Sequence, residues 1–82
     1  MGKEQYIKVQ KNISDMEYDL ITEFIKLRKE AKMSQQAIAD NCNVIRTTVA
    51  RIENQVNSPQ LGTMLQMLET LGYTLEIVKI KK

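Results

Sequence analysis

Four residues crowd one face of a short helical stretch. Arg46, Thr47, Ala50 and Arg51 fall at i, i+1, i+4 and i+5. Opposite them Ile45, Val49 and Ile52 recur at i, i+4 and i+7, the apolar stripe that a core would bury. An arginine guanidinium presents paired N–H donors that match guanine O6 and N7, and a threonine or alanine methyl packs on the thymine methyl. Arg46, Thr47, Ala50 and Arg51 are therefore the candidate base-reading residues, with Thr47 and Ala50 supplying shape and methyl contacts. Two exposed arginines also serve simply to keep a surface soluble, so the choice turns on what flanks them.

Phosphate groups call for different chemistry, namely amide donors and helix N-termini. Ser34 and Gln35 stand where a helix opens just upstream, and Thr48 and Asn54 border the four residues above. Ser34, Gln35, Thr48 and Asn54 are the candidate phosphate contacts. Ser34 would serve equally as an N-cap and Asn54 as a helix terminator.

The elements that must position these residues are legible from periodicity. Ser14 and Glu17 form an S-x-x-E capping box, with Ile13 and Tyr18 placed as a hydrophobic staple. Leu20, Phe24, Leu27 and Ala31 then recur at i, i+4, i+7 and i+11, which predicts an amphipathic helix to about Lys32. Ser34 caps a second helix packed through Ala37, Ile38, Ala39 and Cys42, and Asn43 suits a left-handed turn residue. After a polar loop from Gln55 to Ser58, Pro59 sets the start of a fourth helix. Its stripe is Leu61, Met64, Leu65, Leu68 and Leu71, and Gly72 ends it. Beyond Gly72 the period changes to two: Tyr73, Leu75 and Ile77 alternate with Thr74 and Glu76, a strand signature. A lone strand needs a partner for its backbone groups. The economical partner is the same strand of a second copy across a two-fold axis, which predicts a homodimer through residues 73–80. Pairing with Tyr6–Val9, or a frayed tail, are the alternatives.

The stretch Ser34–Asn54 is two short helices joined by a tight turn, the helix-turn-helix plan. It resembles the Cro and lambda-type repressor family, the xenobiotic-response-element family of bacterial regulators. Arg28, Gln35, Ile38, Ala39, Val44, Val49, Ile52 and Glu53 match that pattern, and Pro59, Leu61, Leu65, Leu71 and Gly72 extend it. The resemblance covers about residues 25–72. It implies an all-α, lambda-repressor-like bundle of four helices, here expected with a C-terminal β-strand. It also puts Gln35 on a DNA phosphate while bracing the first recognition-helix residue, and makes Arg28 and Glu53 a structural ion pair. Three departures stand out: Asn43 replaces the turn glycine, Ile45 the Ser/Thr cap before the recognition helix, and Gln55 a glycine after the glutamate. The expected organisation is an extended or disordered arm over 1–13, a DNA-binding domain over 14–72 and a dimerising strand over 73–82.

Composition narrows the function classes. The 82 residues carry 43% hydrophobic and 27% charged residues, globular values for one small domain. The net charge is only +2 with no basic tail or stripe, so binding to double-stranded DNA must rest on a few well-placed groups doubled by symmetry. One cysteine and no histidine argue against Cys/His zinc sites and histidine-based catalysis, and no phosphate-cradling glycine loop appears. Asp15, Glu17 and Asp19 suit the positive end of a helix, and the five methionines suit core filling. Neither an enzyme, a metal site nor a cofactor is expected. No apolar run nears membrane-spanning length and MGKEQYIKVQ is no signal peptide, so a cytoplasmic address is expected. The functional expectation is a sequence-specific regulator, a repressor binding a palindromic operator as a homodimer. The alternative is similar to HigA-like and HipB-like antitoxins, which bind a toxin protein and repress their own operon. Residues 1–24 or the terminal strand would form the toxin surface.

Overall fold

The computed structural model describes residues 13–80, with side chains from Asp15 onward. Of the arm expected over 1–13, residues 1–12, with the Tyr6–Val9 segment, lie outside the described residues, as does the Ser14 half of the capping box, and Ile13 is the first residue of a helix. Four helices follow in order: α1 Ile13–Glu30, α2 Gln35–Cys42, α3 Arg46–Glu53 and α4 Leu61–Thr70. The second helix packs on both α3 and α4, and α1 packs on α3.

Every helix closes on a residue in the left-handed region. Lys32 (φ 59°), Asn43 (φ 58°), Gln55 (φ 63°) and Gly72 (φ 89°) end α1 to α4 in turn. After α1 the Met33 N–H reaches the Arg28 carbonyl at 3.1 Å and the Lys32 N–H the Lys29 carbonyl at 3.0 Å. After α3 the Val56 N–H reaches Arg51 at 2.9 Å and the Gln55 N–H reaches Ile52 at 3.0 Å. Tyr73 and Gly72 repeat the pair on Leu68 and Glu69. This is the Schellman arrangement, which satisfies orphan carbonyls at a helix end. Only the last is built on glycine, so Lys32, Asn43 and Gln55 hold a conformation in which Cβ crowds the following carbonyl. The replacement of glycine by Asn43 and Gln55 therefore leaves the turn geometry intact.

The core joins Ile21 and Phe24 of α1, Ile38, Ala39 and Cys42 of α2, Val49 and Ile52 of α3, and Met64, Met67 and Leu68 of α4. Leu20, Ile25, Met33, Val44 and Leu71 pack at its margin. Three expected stripes shift. On α1 the inward line is Ile21, Phe24 and Arg28, spaced i, i+3 and i+7, while Ala31 lies past the helix end and is exposed. On α3 Ile45 is 69% exposed, because it is the N-cap and precedes the first helical turn; Val44 takes its place against the core. Likewise Leu61, the first residue of α4, points to solvent, and Met67 is fully buried.

The expected C-terminal β-strand is not there. Residues 73–80 carry no regular structure, and no strand occurs among the described residues. The alternation of Tyr73, Leu75 and Ile77 provides side-chain pattern but no edge for a ladder, and without one the backbone groups remain with water. The fold is an all-α four-helix bundle with an irregular, exposed tail.

Candidate nucleic-acid interface

The site starts at the α1–α2 junction. Ser34 precedes α2 with extended backbone (φ −80°, ψ 164°), and its Oγ accepts the Ala37 N–H at 3.0 Å. That cap fixes where α2 begins and leaves Gln35 as its first residue, facing the far end of α3. The turn at Asn43 then redirects the chain into α3, which packs against α2. Its start carries no side-chain cap, since Ile45 has no oxygen to offer.

Arg28 and Glu53 meet side-on beneath this junction. Arg28 Nε donates to Glu53 Oε2 at 2.7 Å and Arg28 Nη2 to Glu53 Oε1 at 2.9 Å. Their side chains are only 11% and 5% exposed. Arg28 Nη1 also donates to the Met33 carbonyl at 2.9 Å, tying α1 to the loop that enters α2. The pair is therefore two parallel charge-assisted bonds plus an anchor, a geometry only arginine supplies.

Gln35 extends the pair toward the surface. Its Nε2 donates to Glu53 Oε1 at 2.9 Å, and its Oε1 accepts from Arg46 Nη1 at 3.3 Å. Arg28, Glu53, Gln35 and Arg46 thus form one continuous polar chain from α1 to the first residue of α3. No buried side-chain nitrogen or oxygen among the described residues is left without a partner.

The other sequence-derived candidates sit as follows. Arg46, Thr47 and Arg51 are exposed along α3, and Ala50 is half-buried between them. Thr48 is half-buried one step round the helix. Asn54 is exposed and closes α3, its backbone N–H reaching the Ala50 carbonyl at 2.9 Å. Arg51 takes no part in the polar chain described above. The link from Glu53 to Gln35 was not read from the sequence, because the two are 18 positions apart and no periodicity connects them.

Elsewhere the described residues hold no group of three His, Cys, Asp or Glu side chains placed for a metal ion, and no helix long and apolar enough to cross a membrane. Cys42 is a buried free thiol, its Sγ 4.0 Å from Thr70 Oγ1.

A capped helix, a left-handed turn and a second helix with an exposed polar face, braced by a third element, define a DNA-binding helix-turn-helix regulator. The comparisons agree. The sequence profile of the helix-turn-helix family matches residues 24–78. A relative from Haemophilus influenzae, an uncharacterized helix-turn-helix-type transcriptional regulator, is 37% identical over 68 residues, or 83% of this chain and 69% of its own length. A solved structure described as a toxin–antitoxin module from Streptococcus pneumoniae superposes with a TM-score of 0.69 at 37% identity, covering 83% of this chain and 75% of the other. The chain belongs to the helix-turn-helix family of DNA-binding transcriptional regulators.

Proposed function

We propose that this protein is the antitoxin of a toxin–antitoxin pair, which neutralises a toxin protein and represses its own operon. The observation that carries this reading is the match to the Streptococcus pneumoniae toxin–antitoxin structure over 83% of the chain. The exposed tail supports it. Ile77, Val78 and Ile80 are 72% exposed or more, an apolar run with nothing packed on it among the described residues. Beside it Leu75 joins Met16, Glu17 and Leu20 of α1 around a groove of about 440 Å³. Apolar surface of this kind marks an interaction site.

In this reading Arg46 and Arg51 read bases, with Thr47 and Ala50 making methyl contacts. Ser34, Gln35, Thr48 and Asn54 lie along phosphates. The protein acts as a homodimer through residues 73–80, its two α3 helices entering major grooves about 34 Å apart on a palindromic operator. Occlusion of polymerase is the mechanism of repression.

The test is growth arrest. Expression of the neighbouring reading frame's product alone should stop growth, and co-expression of this chain should restore it. A neighbour whose product is harmless, and does not co-purify with this chain, refutes the antitoxin reading. A plain repressor then remains, a reading favoured by the Haemophilus influenzae relative. A gel-shift on the protein's own upstream region tests the DNA-binding half, with Arg46→Ala and Arg51→Ala as controls.

A further inference from the structure

We infer that the Arg28–Glu53 pair sets the base preference of the recognition helix, acting through Gln35 on Arg46. The inference rests on Arg46 being a base reader. Gln35 is the hinge of the argument, because its amide has two ends of opposite polarity. With Nε2 on Glu53 Oε1 at 2.9 Å, its oxygen faces Arg46 Nη1 at 3.3 Å. Turned by half a rotation, it would set oxygen against a carboxylate and NH₂ against a guanidinium. Both neighbours therefore select the same orientation. The stronger selector is Glu53, whose carboxylate is itself fixed by two Arg28 bonds of 2.7 and 2.9 Å.

The consequence reaches the DNA face. Engaging Nη1 leaves Arg46 its Nε and Nη2 donors, the side-on pair suited to guanine O6 and N7. At 3.3 Å the bond to Gln35 is long, so Arg46 is guided rather than clamped. Guidance still matters, since Arg46 is exposed at the first turn of α3 and otherwise must be ordered from many rotamers when DNA binds. The second hydrogen of Gln35 Nε2 stays available for a phosphate. The Arg28 and Glu53 side chains are nearly buried, on the side of α3 away from its exposed face, so they act as positioning residues and not as DNA contacts.

The experiment is selection from double-stranded DNA randomised across the half-site, run on the full chain and four variants. Arg46→Ala and Arg51→Ala identify the base pair that each arginine reads. Gln35→Met breaks the polar chain in its middle and keeps the ion pair. The double variant Arg28→Met with Glu53→Leu removes both buried charges together, a replacement that ion pairs of this kind commonly tolerate. Both should lower discrimination about fivefold or more at the pair read by Arg46, and leave the pair read by Arg51 unchanged. Full preference in either, or a uniform weakening on all sequences as loss of a phosphate contact gives, overturns the inference. If melting curves show the double variant unfolded, Glu53→Gln takes its place: it keeps the side-chain shape and removes the carboxylate that orients Gln35, with the same loss expected at the pair read by Arg46. If Arg46→Ala selects the same bases as the wild type, the base-reading role fails and the inference falls with it.

Discussion

Gln35 and Arg46 open successive helices, and the side-chain carbonyl of the first receives a guanidinium N–H of the second at 3.3 Å. The two helix starts are thereby linked by side chains as well as by the turn at Asn43. If Gln35 meets a phosphate and Arg46 a base, as proposed, the two contacts are held in mutual register before DNA arrives.

The base readers should separate from the frame. Arg51→Ala should cost about 1–3 kcal/mol of binding to the preferred sequence and flatten preference at one base pair per half-site. Its melting temperature should stay close to that of the wild type, because the side chain is exposed. Fluorescence anisotropy on matched and mismatched duplexes, beside a thermal melt, checks both.

Glu53→Ala should act on the fold itself. It strands the Arg28 guanidinium, 11% exposed, at a cost of about 3–5 kcal/mol, which lowers the melting temperature by more than about 10 °C in a domain this small. Equal melting losses in Glu53→Ala and Arg51→Ala would contradict the division between frame and reader.

Gln55 holds φ 63° at the end of α3, where a side chain is strained and glycine is not. Gln55→Gly should therefore stabilise the fold by about 0.5–1 kcal/mol, the relief of left-handed strain exceeding the added freedom of the unfolded chain. Urea unfolding measures it, and a loss of stability would show that the Gln55 side chain contributes contacts of its own.

Salt should weaken operator binding steeply. Each phosphate neutralised contributes close to one unit to the slope of log affinity against log salt, and a dimer doubles the number per site. Replacing Ile77 and Ile80 with lysine, both at least 72% exposed and outside the core, should leave the melt of the bundle unchanged. If the tail joins two copies, the same variant sediments as a monomer and loses the doubled slope. A dimer that survives both lysines places the interface elsewhere.

Much of this architecture was legible in the sequence. The buried face of α2, the Ser34 cap and the exposure of Arg46, Thr47 and Arg51 on α3 follow from spacing alone, whereas the α4 stripe holds at Met64 and Leu68, fails at Leu61 and misses Met67. What escaped was geometry between elements. Ile45 fits the i, i+4, i+7 series with Val49 and Ile52, yet it precedes the helix and faces water, since periodicity says nothing of where a helix begins. Tyr73, Leu75 and Ile77 alternate as a strand would, but alternation describes a side-chain preference and cannot supply the neighbouring edge. The bond from Gln35 to Glu53 joins residues 18 apart and is visible only in three dimensions.

The inner packing of the bundle is finished by Leu71, and every described residue from Gly72 onward lies at the surface. A single proteolytic cut just past that glycine would spare the helices while deleting the greasy appendage proposed to recruit partners. If that tail joins two copies, as proposed, operator reading and assembly are physically severable, and trimming at one peptide bond would leave a weak solitary binder.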